Sequence, residues 1–100
     1  MKYQLLISQD ARLDIFDAFL WYENQRDDLG FEFEFSLDEG FKKIVNNPLA
    51  FQKHYDNIHI HFIDRFPFGI HYLIEEDQII RVFGVFHTSI DPNKWKVRFQ

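Results

Sequence analysis

The sequence predicts an α+β domain with the element order β-α-α-β-β-β, in which a helical hairpin packs across a mainly antiparallel, curved sheet. Three observations carry that prediction. Apolar residues recur at helical spacing in the first half of the chain, on both sides of the break Asp27-Asp28-Leu29-Gly30. After Asn46-Asn47-Pro48 they alternate at strand spacing instead. A short alternating run at the amino end adds one strand before the helices.

Tyr3, Leu5 and Ile7 alternate with Lys2, Gln4 and Leu6 to make that first strand, with one face buried. Ser8 can then cap a helix. From Asp10 onward Ala11, Ile15, Ala18 and Tyr22 repeat at helical spacing, with Leu13, Phe16 and Leu20 widening the apolar face, for about four turns. The next segment carries two signals. Phe31, Phe33 and Phe35 alternate with Glu32 and Glu34 as a strand would, and Ser36-Leu37-Asp38-Glu39 reads as a capping box for a helix after it. Phe33, Leu37, Phe41 and Ile44 also fall on one helical face, and this reading takes Phe31 to Val45 as helix. Asn46-Asn47-Pro48 stops it.

After a loop from Leu49 to Asp56, the segment Ile58 to Phe62 alternates strictly and forms a strand. Phe68 to Glu75 is the next, with Ile70, Tyr72 and Ile74 on one face. Glu76-Asp77 makes a tight acidic turn, and Ile79 to Phe86 is the last strand. Val82, Phe83, Val85 and Phe86 make it apolar on both faces, which places it inside the sheet, covered on both sides. Gly84 there marks a bulge or a close approach by another backbone.

One hundred residues without a repeat or a Pro/Gly-rich linker read as a single domain, 1–100, large enough to need neither disulfide nor metal. Cysteine is absent, which removes disulfide frameworks, thiolate metal sites and thiol nucleophiles, and suits a reducing cytoplasm. The apolar run Tyr3 to Ile7 is too short for a signal peptide or a membrane span, so no membrane role is expected. The net charge of −5 lacks the electrostatic footprint of a protein that binds free nucleic acid. Thirteen Phe make a core of large rings, with some left at the surface as contact anchors.

Two groups of residues invite a functional reading from chemistry alone. If Ile60 pairs with Tyr72, His61 stands opposite His71 with His59 beside them, a set able to bind a metal ion; the competing reading is polar rings on the wetter face of the sheet, and no metal or cofactor is expected. Trp95 with Lys94, Lys96 and Arg98 forms a basic, aromatic tail suited to partner contact, and Phe19 with Trp21 adds a second patch. The alternative for Trp95 is that it folds back and closes one end of the core.

Four phrases then occur in a telling order: Trp21-Tyr22-Glu23 with Gln25, Gly30 with Phe33, Asn47-Pro48, and finally Arg65-Phe66-Pro67-Phe68 followed by His87-Thr88-Ser89-Ile90-Asp91-Pro92-Asn93-Lys94-Trp95. In that order and spacing the chain resembles the RelE/ParE superfamily of bacterial toxins, in its ParE-like branch, with Ile90 where the family's closing phrase has Arg. The resemblance places the second helix of a hairpin over Phe31 to Val45. It implies the toxin half of a type II toxin–antitoxin, or plasmid-stabilisation, module: a cytoplasmic protein neutralised by a cognate antitoxin and acting by protein contact on DNA gyrase, with no catalytic residue. The alternative within the family is a RelE-like endoribonuclease that cuts messenger RNA on the ribosome, for which His87, Arg65 and Arg81 are the candidate groups. A third is a member that binds antitoxin but has lost toxicity. The acidic composition puts pairing with the antitoxin on buried aromatics more than on charge.

Overall fold

The hydroxyl of Ser8 accepts a hydrogen bond from the Ala11 N–H at 3.1 Å and starts the first helix where the sequence puts the cap. The computed structural model describes residues 2–99. Their order is β1 (Gln4–Ile7), α1 (Gln9–Gln25), α2 (Leu29–Asn46), a 3₁₀ turn (Pro48–Ala50), β2 (Lys53–Tyr55), β3 (Ile58–Phe62), β4 (Phe68–Glu75), β5 (Ile79–His87) and α3 (Pro92–Phe99). The α+β fold is the expected one, with β2 and α3 added. The second helix is continuous from Leu29, so the strand signal at Phe31 to Phe35 and the capping box at Ser36 are both overridden.

The hairpin between α1 and α2 turns through Asp28, which adopts a left-handed conformation at φ 70°. Glu23 reaches across the turn. Its carboxylate accepts the backbone N–H groups of Asp28 (3.0 Å) and Gly30 (2.9 Å), which are orphan donors at the start of α2. Gly30 lies so close to α1 that a Cβ would meet the Phe19 ring and carbonyl oxygen at 2.8 Å. At the far end of α2, the Pro48 carbonyl accepts the buried Tyr72 hydroxyl at 2.6 Å, locking the hairpin onto the sheet.

The sheet is open and mixed, in the order β1-β5-β4-β3-β2. β1 is parallel to β5, with Ile7 opposite Val82, and the remaining pairs are antiparallel. Asp77 and Gln78, both at positive φ, form the turn between β4 and β5, one residue beyond the expected Glu76-Asp77. The bulge foreseen at Gly84 is present: Tyr72 faces Val82 while His71 faces Gly84, so Phe83 is the extra residue. A Cβ on Gly84 would sit 2.4 Å from the Phe86 ring.

The register of β3 on β4 differs by one residue from the expected one. Ile60 pairs with His71, His61 with Ile70 and His59 with Tyr72. The Ile63 N–H donates to the Phe68 carbonyl at 3.0 Å and Arg65 turns the loop at φ 70°, which shortens the connection and sets Gly69 against Phe62. His59 and His61 therefore lie on the helix side, and His71 on the other.

The helix side holds the main core. Ala11, Ala18, Phe33, Leu37 and Ile44 pack on Ile70, Tyr72, Ile80, Val82 and Val85. Tyr22, Phe33, Phe66 and Phe68 form a ring cluster at one end, with centroids 4.9–6.1 Å apart. On the other side, α3 covers His71, Phe83 and Phe86, so β5 is shielded on both faces as its sequence predicts. The edge of β5 past β1 is closed from both helical layers. Ser8 N–H donates to Val82 O, Asp14 then accepts the Val85 N–H at 3.0 Å, and Arg98 donates to Phe83 O at 3.3 Å while holding Asp14 at 2.7 Å.

Candidate functional site

Thr88 N–H donates to the Pro67 carbonyl at 2.8 Å, tying the loop after β3 to the end of β5. Against this joint lies the carboxyl half of α1. Together they enclose a cleft of about 440 Å³ lined by Ala18, Trp21, Tyr22, Pro67, Phe68 and His87. Three phrases far apart in sequence thus meet in one place. The wall is apolar, Tyr22 is kept a neutral phenol by burial that raises its pKa, and Trp21 is exposed at the rim, with its ring edge-on to Tyr22 at 5.2 Å. The size matches cavities that take a small molecule or a few side chains of a partner.

His87 supplies the imidazole of the cleft. Its ring meets Phe68 edge-on at 5.2 Å, and Nδ1 accepts both the Ser89 N–H (3.0 Å) and the Ser89 hydroxyl (2.7 Å), so Nε2 carries the ring proton. The other two members of the candidate ribonuclease set are elsewhere. Arg81 is bound to Glu75 at 2.8 Å, six residues back along β5 and so about 20 Å away. Arg65 is engaged with Glu32 at 2.7 Å and lies over the Phe66 ring; Arg26 holds the same carboxylate, and the two guanidinium groups lower the Glu32 pKa. The three groups do not converge on one phosphate-sized space.

Of the two readings of the carboxy-terminal patch, the structure shows the one in which Trp95 folds back. Asp91 caps α3 through the Asn93 N–H, with Pro92 opening the helix. Trp95 folds back, stacked on Tyr55 at 5.6 Å and edge-on to His71 at 4.8 Å. Arg98 is drawn onto Asp14, which raises its pKa, and onto the Phe86 ring at 4.8 Å. Lys94 and Lys96 remain exposed. Of the second patch, Phe19 is packed edge-on against Phe31 at 5.0 Å between the helices, and only Trp21 stays open.

The histidines have separate local roles. His59 Nδ1–H donates to the Phe51 carbonyl at 2.7 Å while its ring stacks on Tyr72. His61 packs on Phe51, and burial together with nearby Lys43 lowers its pKa. His71 is almost wholly buried, with Nδ1 2.9 Å from the Tyr55 hydroxyl; burial holds its pKa down at about 3. Among the described residues, no three His, Asp or Glu side chains come together in a group able to hold a metal ion.

Sequence reasoning missed Glu23, Asp14 and Tyr55. In the sequence Glu23 stands out only as part of a phrase, although an acid just before a helical break is where a cap belongs.

No protein-family model matches the sequence, and no curated protein does. The architecture is matched by a chain from the chromosomal ParDE TA system of P. aeruginosa, with a TM-score of 0.77 over 87% of this chain and 97% of that one, at 11% identity. The fold is RelE/ParE-like. Within this ParE-like fold most of the sequence phrases are joints: Glu23 caps α2, Gly30 admits α1, Phe33 fills the core, Pro48 receives Tyr72, and Pro67 receives Thr88. Trp21, Tyr22, Pro67, Phe68 and His87 are the members that line the cleft. Among the described residues, no helix is long and apolar enough to cross a membrane.

Proposed function

We propose that this chain is the toxin half of a type II toxin–antitoxin module, held silent in the cytoplasm by a cognate antitoxin and acting, once released, by protein contact on DNA gyrase. The observation that carries the toxin reading is the likeness over nearly all of both chains to a chain from a ParDE TA system. Contact rather than cleavage is favoured by the apolar cleft with an exposed Trp21 at its rim, and by the dispersal of His87, Arg65 and Arg81.

The test is controlled expression in bacteria, paired with supercoiling assays on purified gyrase. The expected result is growth arrest with inhibited supercoiling, weakened at least tenfold by Trp21→Ala and almost unchanged by His87→Gln. Cleavage of messenger RNA by the wild type, lost in His87→Gln at an unchanged melting temperature, would move the chain to the ribonuclease reading, because a general acid–base group contributes roughly a hundredfold or more. Growth without arrest, together with tight antitoxin capture, would leave only an antitoxin binder.

A further inference from the structure

The last helix lies on the sheet as a thin cover. Of its described side chains Trp95 and Arg98 are drawn in, whereas Asn93, Lys94, Lys96 and Val97 stay exposed, Val97 by 72%. Arg98 is gripped by both oxygens of Asp14, at 2.7 and 3.1 Å, and lies over the Phe86 ring. The Trp95 ring rests on Tyr55 and His71. Its fit is incomplete: the indole Nε1–H is buried and finds no acceptor among the described residues. A buried donor left unpaired costs stability that water restores when the cover lifts.

Under this cover sits His71, on the side of the sheet turned away from the hairpin. The Tyr55 hydroxyl on β2 is 2.9 Å from its Nδ1, Ile60 on β3 is its cross-strand partner, and Phe83 and Phe86 close in from β5. The charged groups acting on the ring are His54 from β2 and Arg98 from α3, and both oppose a second positive charge. The neighbouring acids act elsewhere. Asp14 on α1 holds Arg98, Asp10 lies 3.9 Å from the same guanidinium, and Asp56 acts on Tyr55. A proton on His71 therefore calls for water, and water has two ways in. One breaks the core that Ile70 and Tyr72 share with the hairpin; the other lifts α3 alone.

We propose that α3 is an acid-released cover: protonation of His71 is accommodated by α3 lifting off the sheet, which bares Tyr55, Phe83 and Phe86 while the hairpin and the five strands stay folded. This device is independent of the toxin reading. Neutral His71 keeps the cover closed above the free imidazole value of about 6.5, and acid favours the open form as the pH falls from there toward 3. Between pH 7.5 and pH 5 the closed-to-open ratio falls roughly thirtyfold, given a closed-form pKa of about 3.

The experiment is amide hydrogen exchange on the full chain at pH 7.5 and pH 5, corrected for the intrinsic pH dependence of exchange. The amides of Lys96, Val97 and Arg98 should exchange through an opening more populated than the one that frees the Ile80 amide, and that opening should grow roughly thirtyfold at pH 5. His71→Phe should remove the change in α3. In a proton NMR titration of the wild type, the His71 ring and the α3 amides should move together while the Ile80 amide keeps its folded position. Three results would overturn the assignment: α3 and Ile80 exchanging with the same protection at both pH values, α3 protection indifferent to pH, or an acid response of α3 that persists in His71→Phe.

Discussion

At the scale of single residues, His71 is the most constrained ionisable group. It is 1% exposed and enclosed by Tyr55, Phe83, Phe86 and Trp95, with His54 and Arg98 acting on its charge in the same direction as burial. Burial favours the neutral ring and holds the folded pKa at about 3, whereas the unfolded chain protonates near 6.5. A depressed histidine pKa means that stability is complete above the unfolded value and falls as the pH drops from 6.5 toward 3. At pH 5 the loss from this group is about 2 kcal/mol, at roughly 1.4 kcal/mol per pH unit. Urea melts at pH 7.5 and pH 5 should show it, and His71→Phe should flatten the difference. A wild type equally stable at both values would refute the assignment. The lowered pKa of His61 adds to the slope in the same direction, so His71→Phe leaves a remnant.

At the scale of elements, the closed edge of β5 makes a sharper claim. Asp14 is the acceptor for the Val85 amide and the anchor for Arg98, so one carboxylate joins α1, β5 and α3. Asp14→Ala should cost about 1–3 kcal/mol, the usual penalty for leaving a partly buried amide and guanidinium unpaired. Hydrogen exchange should accelerate at least tenfold at the Val85 amide while the Ile80 amide, on the β1-paired stretch, stays protected. Unchanged protection at Val85 would show that the edge is closed by something else. None of this was legible in the sequence. Periodicity identified α1, α2 and the strands of the hairpins, because each buries a repeating face. α3 shows no such repeat: among the described side chains it is held by the Trp95 ring and the Arg98 cation. β2 is three residues on a sheet edge, too short for any period to register. The histidine register was out of reach for a different reason. Alternation says which residues share a face but not which residue stands opposite, and that was settled by the Ile63–Phe68 bond in the loop.

For the whole molecule, the two-sided sheet explains why four motif phrases identified the fold but not the work it does. Glu23, Gly30, Pro48 and Pro67 are legible because joints between layers tolerate few residue types, whereas the cleft is recognisable only once α1 and the ends of β4 and β5 are brought together. The same layering separates the histidines, with His59 and His61 under the helices and His71 under α3. Folding should therefore be indifferent to metal. Thermal melts with and without EDTA should superimpose, and a fall of more than about 5 °C, equivalent to roughly 1 kcal/mol in a chain of this size, would contradict it.

The neighbour of the first strand in the sheet is the last, and Asp14 awaits Arg98 across 84 residues. At a synthesis rate of roughly 5–20 residues per second, that interval lasts about 4–17 s. For most of it β1 has no partner strand, and the hairpin stands with its inner face uncovered beside a growing ribosomal product. The sheet cannot assemble until β5 has emerged, and its edge is sealed only when Arg98 of α3 reaches Asp14. Whatever this protein binds, it meets a nascent chain whose early half is exposed well before its late half exists, so a partner already present in the cell has a head start measured in seconds.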